Sequence, residues 1–206
     1  EIMPSLVGSE MCIRDSAKPT GGTAKIMGID ILENPSKARS NLGYMAQKFS
    51  LYGNLTLRQN LEFFASVYGI NFLNKDKRVD EIIDIFNFHD IQDMKSQDLP
   101  LGFKQRLSLA CAVIHNPPIL FLDEPTSGVD VIARREFWNH ITSLAKLGVT
   151  ILVTTHFMDE AEYCNRISLF YKGETIALGT PYELKTKANA DNMEQAFVNL
   201  IKESGK

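Results

Sequence analysis

The sequence predicts an α/β fold with a mostly parallel sheet and a helical segment inserted into it. Two short apolar stretches, ILFL at 119–122 and TILVTT at 150–155, are typical of strands buried on both faces. Between them, IARREFWNHITSLAKLG has the amphipathic period of a helix and ends at Gly148. Because apolar strands alternate here with a helix, neighbouring strands are expected to run parallel.

The inserted segment is predicted to be helical. In LTLRQNLEFFASVYG, Thr56 and Gln59 have the spacing of a capping box and Gly69 supplies a stop. DKRVDEIIDIFNF fits a second helix with one apolar face, and a third helix is expected to start near Lys104. A helical subdomain is therefore predicted over about 50–115.

The remaining elements follow from local signals. SNLGYMAQ predicts a strand that ends in a polar residue, Gln47, and TAKIMGIDI predicts a short strand and turn. RISLFYKGETIALG predicts a hairpin that turns at Lys172–Gly173. Thr180, Pro181 and Glu183 have the pattern of a helix start, with a cap, a proline at the first position and a capping-box acid.

Composition limits the class of protein. The 206 residues are 44% hydrophobic and 23% charged, which is ordinary for one sizeable globular domain. A net charge of −3 gives no general attraction to nucleic acid. Three widely spaced cysteines form neither a disulfide framework nor a zinc cluster and favour a reducing compartment. No apolar run reaches the roughly 18–20 residues that span a bilayer, so membrane association is expected only through a partner.

Polar residues follow three of the predicted strands. Asp123 and Glu124 end the ILFL strand, His156 follows TILVTT, and Gln47 ends the LGYMAQ strand. Ligands of open α/β sheets bind outside the carboxyl ends of strands, where carboxylates suit Mg²⁺ and a second acid can polarise a water. Each residue alone is equally consistent with a solvated strand end, a surface histidine or an ordinary loop glutamine. Together they predict a catalytic edge.

These segments resemble the ATP-binding subunit of an ABC transporter, from about residue 18 to residue 200. ILFLDE is similar to the Walker B strand and TSGVD to the D-loop, while GYMAQKFSLYGNLTLRQNLEFFASVYG is similar to the Q-loop and helical subdomain. The resemblance implies a P-loop NTPase-like ABC cassette that binds ATP and Mg²⁺. It assigns Asp123 to the metal, Glu124 to activation of the attacking water and His156 to the γ-phosphate. Gln47 would sense the metal and communicate with the membrane subunit, and Asp130 would lie at a contact between two cassettes.

The family's signature sequence departs from its usual form. The usual Leu-Ser-Gly-Gly-Gln is replaced by LPLGFKQR, in which Leu99 and Gly102 keep their places while Pro100 replaces the serine and Leu101 a glycine. Some exporter-type cassettes share the LPLG form. A signature aims a helix N-terminus at the ATP held by the opposite cassette, a role that backbone N–H groups can still fill. The residues expected to serve ATP here are Leu99, Gly102, Lys104 and Gln105.

The first residues do not provide a phosphate-binding loop. Counting from Gly8, the positions of the second glycine, lysine and Ser/Thr in G-x-x-x-x-G-K-[ST] are held by Ile13, Arg14 and Asp15. PSLVGSEMCIRDS instead resembles translated adapter sequence, and residues 1–16 are expected to be a foreign leader outside the fold. Without the loop's amides, lysine and hydroxyl, the 206 residues by themselves are expected to bind and hydrolyse ATP poorly.

The resemblance also implies an organisation and a function. The predicted segments are the leader at 1–16 and an incomplete ATP-binding domain at 17–206. Within this domain the helical subdomain covers about 50–115, the core with Walker B, D-loop and switch histidine covers 116–187, and a C-terminal helix covers 188–206.

The function that the resemblance implies is that of the ATP-binding subunit of an export system, of multidrug type, on the cytoplasmic face of the membrane. Its implied partners are ABC permease subunits and a second cassette in a homodimer or mixed pair, with no nucleic acid. Two alternatives remain open here: a non-transport ABC ATPase, and an inert fragment that only docks partners.

Overall fold

The computed structural model describes residues 22–47 and 51–204, which form two compact units. The sheet unit is Ser40–Thr154, and the terminal unit combines 22–39 with 155–204. In chain order the strands and α-helices are β1 (Lys25–Ile26), β2 (Ile29–Asp30), α1 (Pro35–Arg39), β3 (Leu42–Met45), α2 (Leu57–Val67), α3 (Phe72–Phe86), α4 (Leu101–Val113), β4 (Ile119–Asp123), α5 (Val131–Lys146), β5 (Thr150–Thr154), α6 (Met158–Ala161), β6 (Ile167–Tyr171), β7 (Glu174–Gly179), α7 (Pro181–Lys187) and α8 (Met193–Glu203).

The sheet unit contains the predicted parallel sheet, with strand order β3-β4-β5. The register pairs Met45 with Leu122 and Asp123 with Thr154, so all three carboxyl ends lie along one edge. Leu120 and Leu122 of the central strand are fully buried. The wholly apolar sequence of β4 follows from burial on both faces of a parallel sheet.

The three predicted helices of the inserted segment are present, and two begin earlier than the sequence suggested. The capping box of Thr56 and Gln59 starts α2. The α3 helix begins at Phe72, because Asn71 Oδ1 accepts a hydrogen bond from the N–H of Leu73 and so supplies an earlier cap. The α4 helix begins at Leu101 rather than near Lys104, directly after Pro100 at the N-cap position.

The α4 helix packs directly against β3. A Cβ built on Gly43 of β3 would meet the backbone oxygen of Ala112 in α4, so only glycine allows this approach. Most of the second half of α4 is buried, including Cys111, and burial raises the pKa of the Cys111 thiol. On α5, Trp138 is buried and belongs to the core.

The terminal unit has its own apolar core. The β6–β7 hairpin turns at Lys172 and Gly173, both with positive φ (49° and 80°), as a two-residue hairpin turn requires. Thr180 and Glu183 form the predicted capping box of α7, with Pro181 at its first position. The core side chains come from α6, the hairpin and the two C-terminal helices with their flanking residues: Ala161, Ile167, Leu169, Ala177, Leu184, Ala188, Met193, Ala196 and Leu200.

Candidate active site at the carboxyl edge of the sheet

Two predicted site residues that lie far apart in the sequence meet at the carboxyl edge of the sheet unit. Gln47 follows β3 by two residues, and Glu124 directly follows β4. The Nε2 group of Gln47 donates a hydrogen bond to Oε2 of Glu124 at 2.6 Å. Parallel pairing of β3 with β4 makes this contact possible, since it brings the two strand ends side by side.

The end of β5 contributes a residue that sequence reasoning missed. The hydroxyl of Thr154 donates to Oδ1 of Asp123 at 2.8 Å and accepts from the N–H of Glu124 at 3.2 Å. The same N–H also lies 3.0 Å from the carbonyl oxygen of Thr154. Thr154 thus orients both acids. The signal that identifies it is the register that pairs Asp123 with Thr154, which the sequence does not give.

Glu124 has a backbone conformation that is rare for a residue with a side chain. Its φ is +43°, in the left-handed region, where a non-glycine residue costs of order 1–3 kcal/mol. The bonds from its N–H to Thr154 hold this conformation in place. The bend turns the chain sharply after β4 and directs the Glu124 carboxylate to Gln47.

The donor set at this edge fits a phosphate-bound Mg²⁺. Asp123 supplies carboxylate oxygens and Gln47 an amide oxygen, which are ligands that Mg²⁺ accepts. Among the described residues there is no cluster of three or more His, Cys, Asp or Glu side chains arranged to hold a metal. Mg²⁺ in nucleotide sites usually takes one or two carboxylates and completes its shell with phosphates and water, so Asp123 is sufficient and Glu124 stays available to a water.

His156 belongs to the terminal unit, and its role at the γ-phosphate stays a prediction. Its ring lies against that of Phe157, with centroids 4.1 Å apart. The hydroxyl of Thr155 accepts from the N–H of Phe157 at 3.0 Å and donates to Oε2 of the buried Glu160 at 2.7 Å. These bonds fix the backbone on both sides of His156.

The predicted signature residues surround the first turns of α4. Leu99 and Gln105 are buried, with 3% and 6% of their surfaces exposed, so their side chains serve packing in this unit. A Cβ on Gly102 would lie 2.7 Å from Cβ of Ala133, which shows how closely the starts of α4 and α5 approach. The Nζ group of Lys104 donates to the carbonyl oxygen of Gln97 at 2.7 Å. A contact with ATP from these four residues stays a prediction.

Asp130 acts as the N-cap of α5. Its Oδ1 accepts from the N–H groups of Ile132 and Ala133, both at 3.0 Å. An aspartate at this position satisfies two free donors and complements the positive end of the helix. These bonds do not test the prediction that Asp130 lies at a contact between two cassettes.

Comparison with known proteins decides the family. Residues 10–127 match the ABC transporter family, which is more than half of the chain. The chain belongs to the ABC transporter family. Proteins of this family bind ATP through this domain, and their ATP-binding subunits pair with membrane permease subunits.

Two relatives and one solved structure show how far the similarity to other ABC proteins extends. The probable multidrug ABC transporter ATP-binding protein YbhF of Escherichia coli K12 is 55% identical over 188 residues, which is 89% of this chain and 32% of YbhF. The daunorubicin/doxorubicin resistance ATP-binding protein DrrA of Streptomyces peucetius is 33% identical over 192 residues, which is 91% of this chain and 58% of DrrA. The chain therefore spans about a third of one relative and little more than half of the other. A solved ATP-binding subunit of an ABC transporter shares the fold, with a TM-score of 0.82 and 24% identity over 96% of this chain and 83% of that one.

No helix among residues 22–47 and 51–204 is long and apolar enough to cross a membrane.

Proposed function

We propose that this ABC cassette is the ATP-binding part of an export system and couples ATP hydrolysis to transport through separate permease subunits. The observation that carries the proposal is the contact of Gln47 with Glu124 beside the Asp123–Thr154 bond, at the carboxyl edge of a parallel sheet. An open α/β sheet binds its ligand at such an edge. Family membership makes ATP the ligand.

In this proposal Glu124 is the base that accepts a proton from the attacking water. A carboxylate can do so only when one of its oxygens is within hydrogen-bond reach of the water. In the structure Oε2 already accepts a hydrogen bond from Gln47. An approach of the water to this oxygen requires Gln47 to yield or share it when the nucleotide is bound.

Asp123 is proposed to hold Mg²⁺ together with ATP phosphates. The hydroxyl of Thr154 donates a hydrogen bond to Oδ1 of Asp123 and so fixes the plane of the carboxylate. Oδ2 of Asp123 is therefore the oxygen available to the ion or to one of its waters. When bound, Mg²⁺ neutralises charge on the phosphates. His156, Leu99, Gly102, Lys104, Gln105 and Asp130 keep the roles predicted for them in the nucleotide contact between two cassettes.

The names of the relatives favour export of drug-like compounds. YbhF is described as a probable multidrug protein, and DrrA as a daunorubicin/doxorubicin resistance protein. We propose a multidrug-type export system, with permease subunits and a second cassette as partners, and with the cassette on the cytoplasmic face of the membrane.

Co-expression with a membrane protein encoded beside the gene, followed by detergent extraction and affinity purification, tests this partnership. Recovery of ribosomes or DNA in place of a membrane subunit would contradict the export proposal and support a non-transport ABC ATPase.

Nucleotide binding tests the site separately from the partners. The sequence contains no G-x-x-x-x-G-K-[ST] pattern, so we expect the 206 residues by themselves to bind a fluorescent ATP analogue weakly. Replacing residues 1–16 with a strand followed by a G-x-x-x-x-G-K-[ST] loop should restore Mg²⁺-dependent binding, measured by fluorescence anisotropy. Equal binding by both chains would show that the phosphate site lies elsewhere.

A further inference from the structure

Glu160 is a buried acid that follows His156 by four residues. Among residues 22–47 and 51–204 it is the only Asp, Glu, Lys or Arg with none of its surface exposed. It lies in α6, a helix of a single turn that begins at Met158. A buried carboxylate is costly unless hydrogen bonds or an opposite charge replace the water it has lost. The bonds of this carboxylate therefore indicate its role.

One oxygen of Glu160 is bonded to a hydroxyl on the other side of His156. Oε2 of Glu160 accepts from the hydroxyl of Thr155 at 2.7 Å, and that hydroxyl accepts from the N–H of Phe157 at 3.0 Å. The carbonyl oxygen of Phe157 in turn accepts from the N–H of Glu160 at 3.1 Å. These bonds join three residues, Thr155, Phe157 and Glu160, which we call the Thr155–Glu160 motif.

The motif holds both neighbours of His156 in the chain. His156 lies between Thr155 and Phe157, and its side chain is exposed, so burial does not fix the imidazole. The rings of His156 and Phe157 lie against each other, with centroids 4.1 Å apart and planes inclined by 36°. Fixing the backbone of Phe157 therefore also fixes a surface against which the imidazole lies.

The carboxylate of Glu160 determines how the hydroxyl of Thr155 is used. A hydroxyl has one proton to donate and can accept hydrogen bonds at the same time. Because its proton is directed at Glu160, its lone pairs are left to the N–H of Phe157. Hydrogen bonds in a chain polarise one another, so donation to a carboxylate makes the hydroxyl a better acceptor. Glu160 thus strengthens the bond that holds Phe157.

The stability of α6 by itself does not explain a buried acid at this position. An acid in the first turn of a helix is favoured by the helix dipole, and an exposed side chain provides that benefit. Asp159, in the same turn, is such an exposed acid. Burial of Glu160 adds a cost of desolvation that the dipole does not require, and it brings the carboxylate to Thr155.

We propose that Glu160 is a positioning residue for His156. Its carboxylate orients the hydroxyl of Thr155, which holds the N–H of Phe157 and with it the aromatic ring beside the imidazole. The proposal rests on the proposed function, in which His156 contacts the γ-phosphate of ATP. Glu160 acts only through Thr155 and Phe157 and does not itself contact the nucleotide.

The imidazole resonances of His156 in the 206-residue chain test the proposal by NMR. The ring current of Phe157 shifts nearby imidazole protons, so the difference in chemical shift between the folded and the urea-unfolded chain reports how closely the two rings are held. The variant His156→Gln identifies the resonances among those of the four histidines. The variant Phe157→Leu shows how much of the difference comes from the aromatic ring.

Three variants change the motif, and two serve as matched controls. Thr155→Val keeps the shape of the side chain and removes the hydroxyl, while Thr155→Ser keeps the hydroxyl. Glu160→Met keeps the length of the side chain and removes the carboxylate. One control is Thr186→Val, because the Thr186 hydroxyl bonds a carbonyl oxygen one turn back in α7. The other is Glu162→Met, which breaks an ion pair with Lys185.

We expect Thr155→Val and Glu160→Met to lose most of the shift difference at His156, and Thr155→Ser and both controls to keep it. The N–H of Phe157 should exchange with solvent about tenfold faster in Thr155→Val and Glu160→Met, as expected when a hydrogen bond is lost or weakened. The double variant should lose no more of the shift difference than the more affected single variant, because both changes break one connection.

Three results would overturn the proposal. One is an unchanged shift difference at His156 in folded Glu160→Met. Another is an equal loss in Thr155→Ser and Thr155→Val, which would assign the effect to packing. The third is an unfolded terminal unit in both Glu160→Met and Thr155→Val, which would show that the motif serves stability alone. The measurement contains no ATP, so a failure of the proposed function would appear instead in nucleotide binding and in purification with a membrane subunit.

Discussion

Thr154 is the residue whose side chain ties the two acidic residues together. Replacing it with valine keeps the shape and removes the hydroxyl that bonds Asp123 and the N–H of Glu124. We expect Thr154→Val to lower the free energy of unfolding by about 1–3 kcal/mol, because two polar partners lose a bond. Chemical denaturation measures the change.

The control is Thr142→Val. The Thr142 hydroxyl bonds only the carbonyl oxygen of Trp138, one turn back in its own helix. Its replacement should change stability by no more than about 0.5 kcal/mol. Equal losses in the two variants would mean that the hydroxyl of Thr154 has no special part in the site.

Two histidines of the sheet unit make stability depend on pH. Burial lowers the pKa of His115, whose ring stacks on Tyr68 with centroids 3.7 Å apart, and nearby Arg78 lowers it further. Burial, followed by Arg106, lowers the pKa of His140. Both residues therefore take up protons more readily in the unfolded chain.

The sign of the pH effect follows from these shifts. The contribution of each histidine is present above the ordinary imidazole pKa of about 6.5 and is lost as pH falls through the lower folded value. The chain should unfold at a lower denaturant concentration at pH 5.5 than at pH 7.5, and His140→Gln should reduce the difference. Imidazole NMR resonances of these two residues that titrate at or above pH 6.5 would contradict the account.

At the scale of elements, the close approach of α4 to α5 depends on Gly102. A methyl group there would lie 2.7 Å from Cβ of Ala133, and neither atom can move without its helix. Gly102→Ala should therefore lower the free energy of unfolding by roughly 1–3 kcal/mol, although alanine is the better helix former.

A second substitution separates the clash from other effects. Ala133→Gly removes the methyl group that Gly102→Ala would meet, so the double variant should lose less stability than the sum of the two single variants. Additive losses would show that the two helices are not in steric contact at this point. Thermal or chemical unfolding of the four chains gives the comparison.

The sequence predicted the elements better than their boundaries or their contacts. Capping boxes at Thr56 and Thr180 and the wholly apolar strand β4 were predictable, since each depends on neighbours within a few residues. The early start of α3 was missed because an asparagine cap at Asn71 was not recognised. Thr154 could not be found without the register of β4 and β5, which depends on packing across the sheet.

At the scale of the whole molecule, the carboxyl edge of the sheet unit joins residues that the sequence placed at the ends of separate strands. Gln47 and Glu124 were grouped from strand ends alone, and the structure joins them directly. The predicted ABC fold is confirmed by the similarity to a solved ATP-binding subunit over 96% of the chain. The assignments of His156 and of the signature residues remain predictions, because they concern a bound nucleotide and an opposite cassette.

The central claim is that Glu124 activates water for ATP hydrolysis at this edge. Its most direct test is the rate of phosphate release by the chain that carries a G-x-x-x-x-G-K-[ST] loop in place of residues 1–16. We predict Mg²⁺-dependent turnover that Glu124→Gln slows by about 10²–10⁴-fold, with nucleotide binding retained. Unchanged turnover in Glu124→Gln would contradict the account.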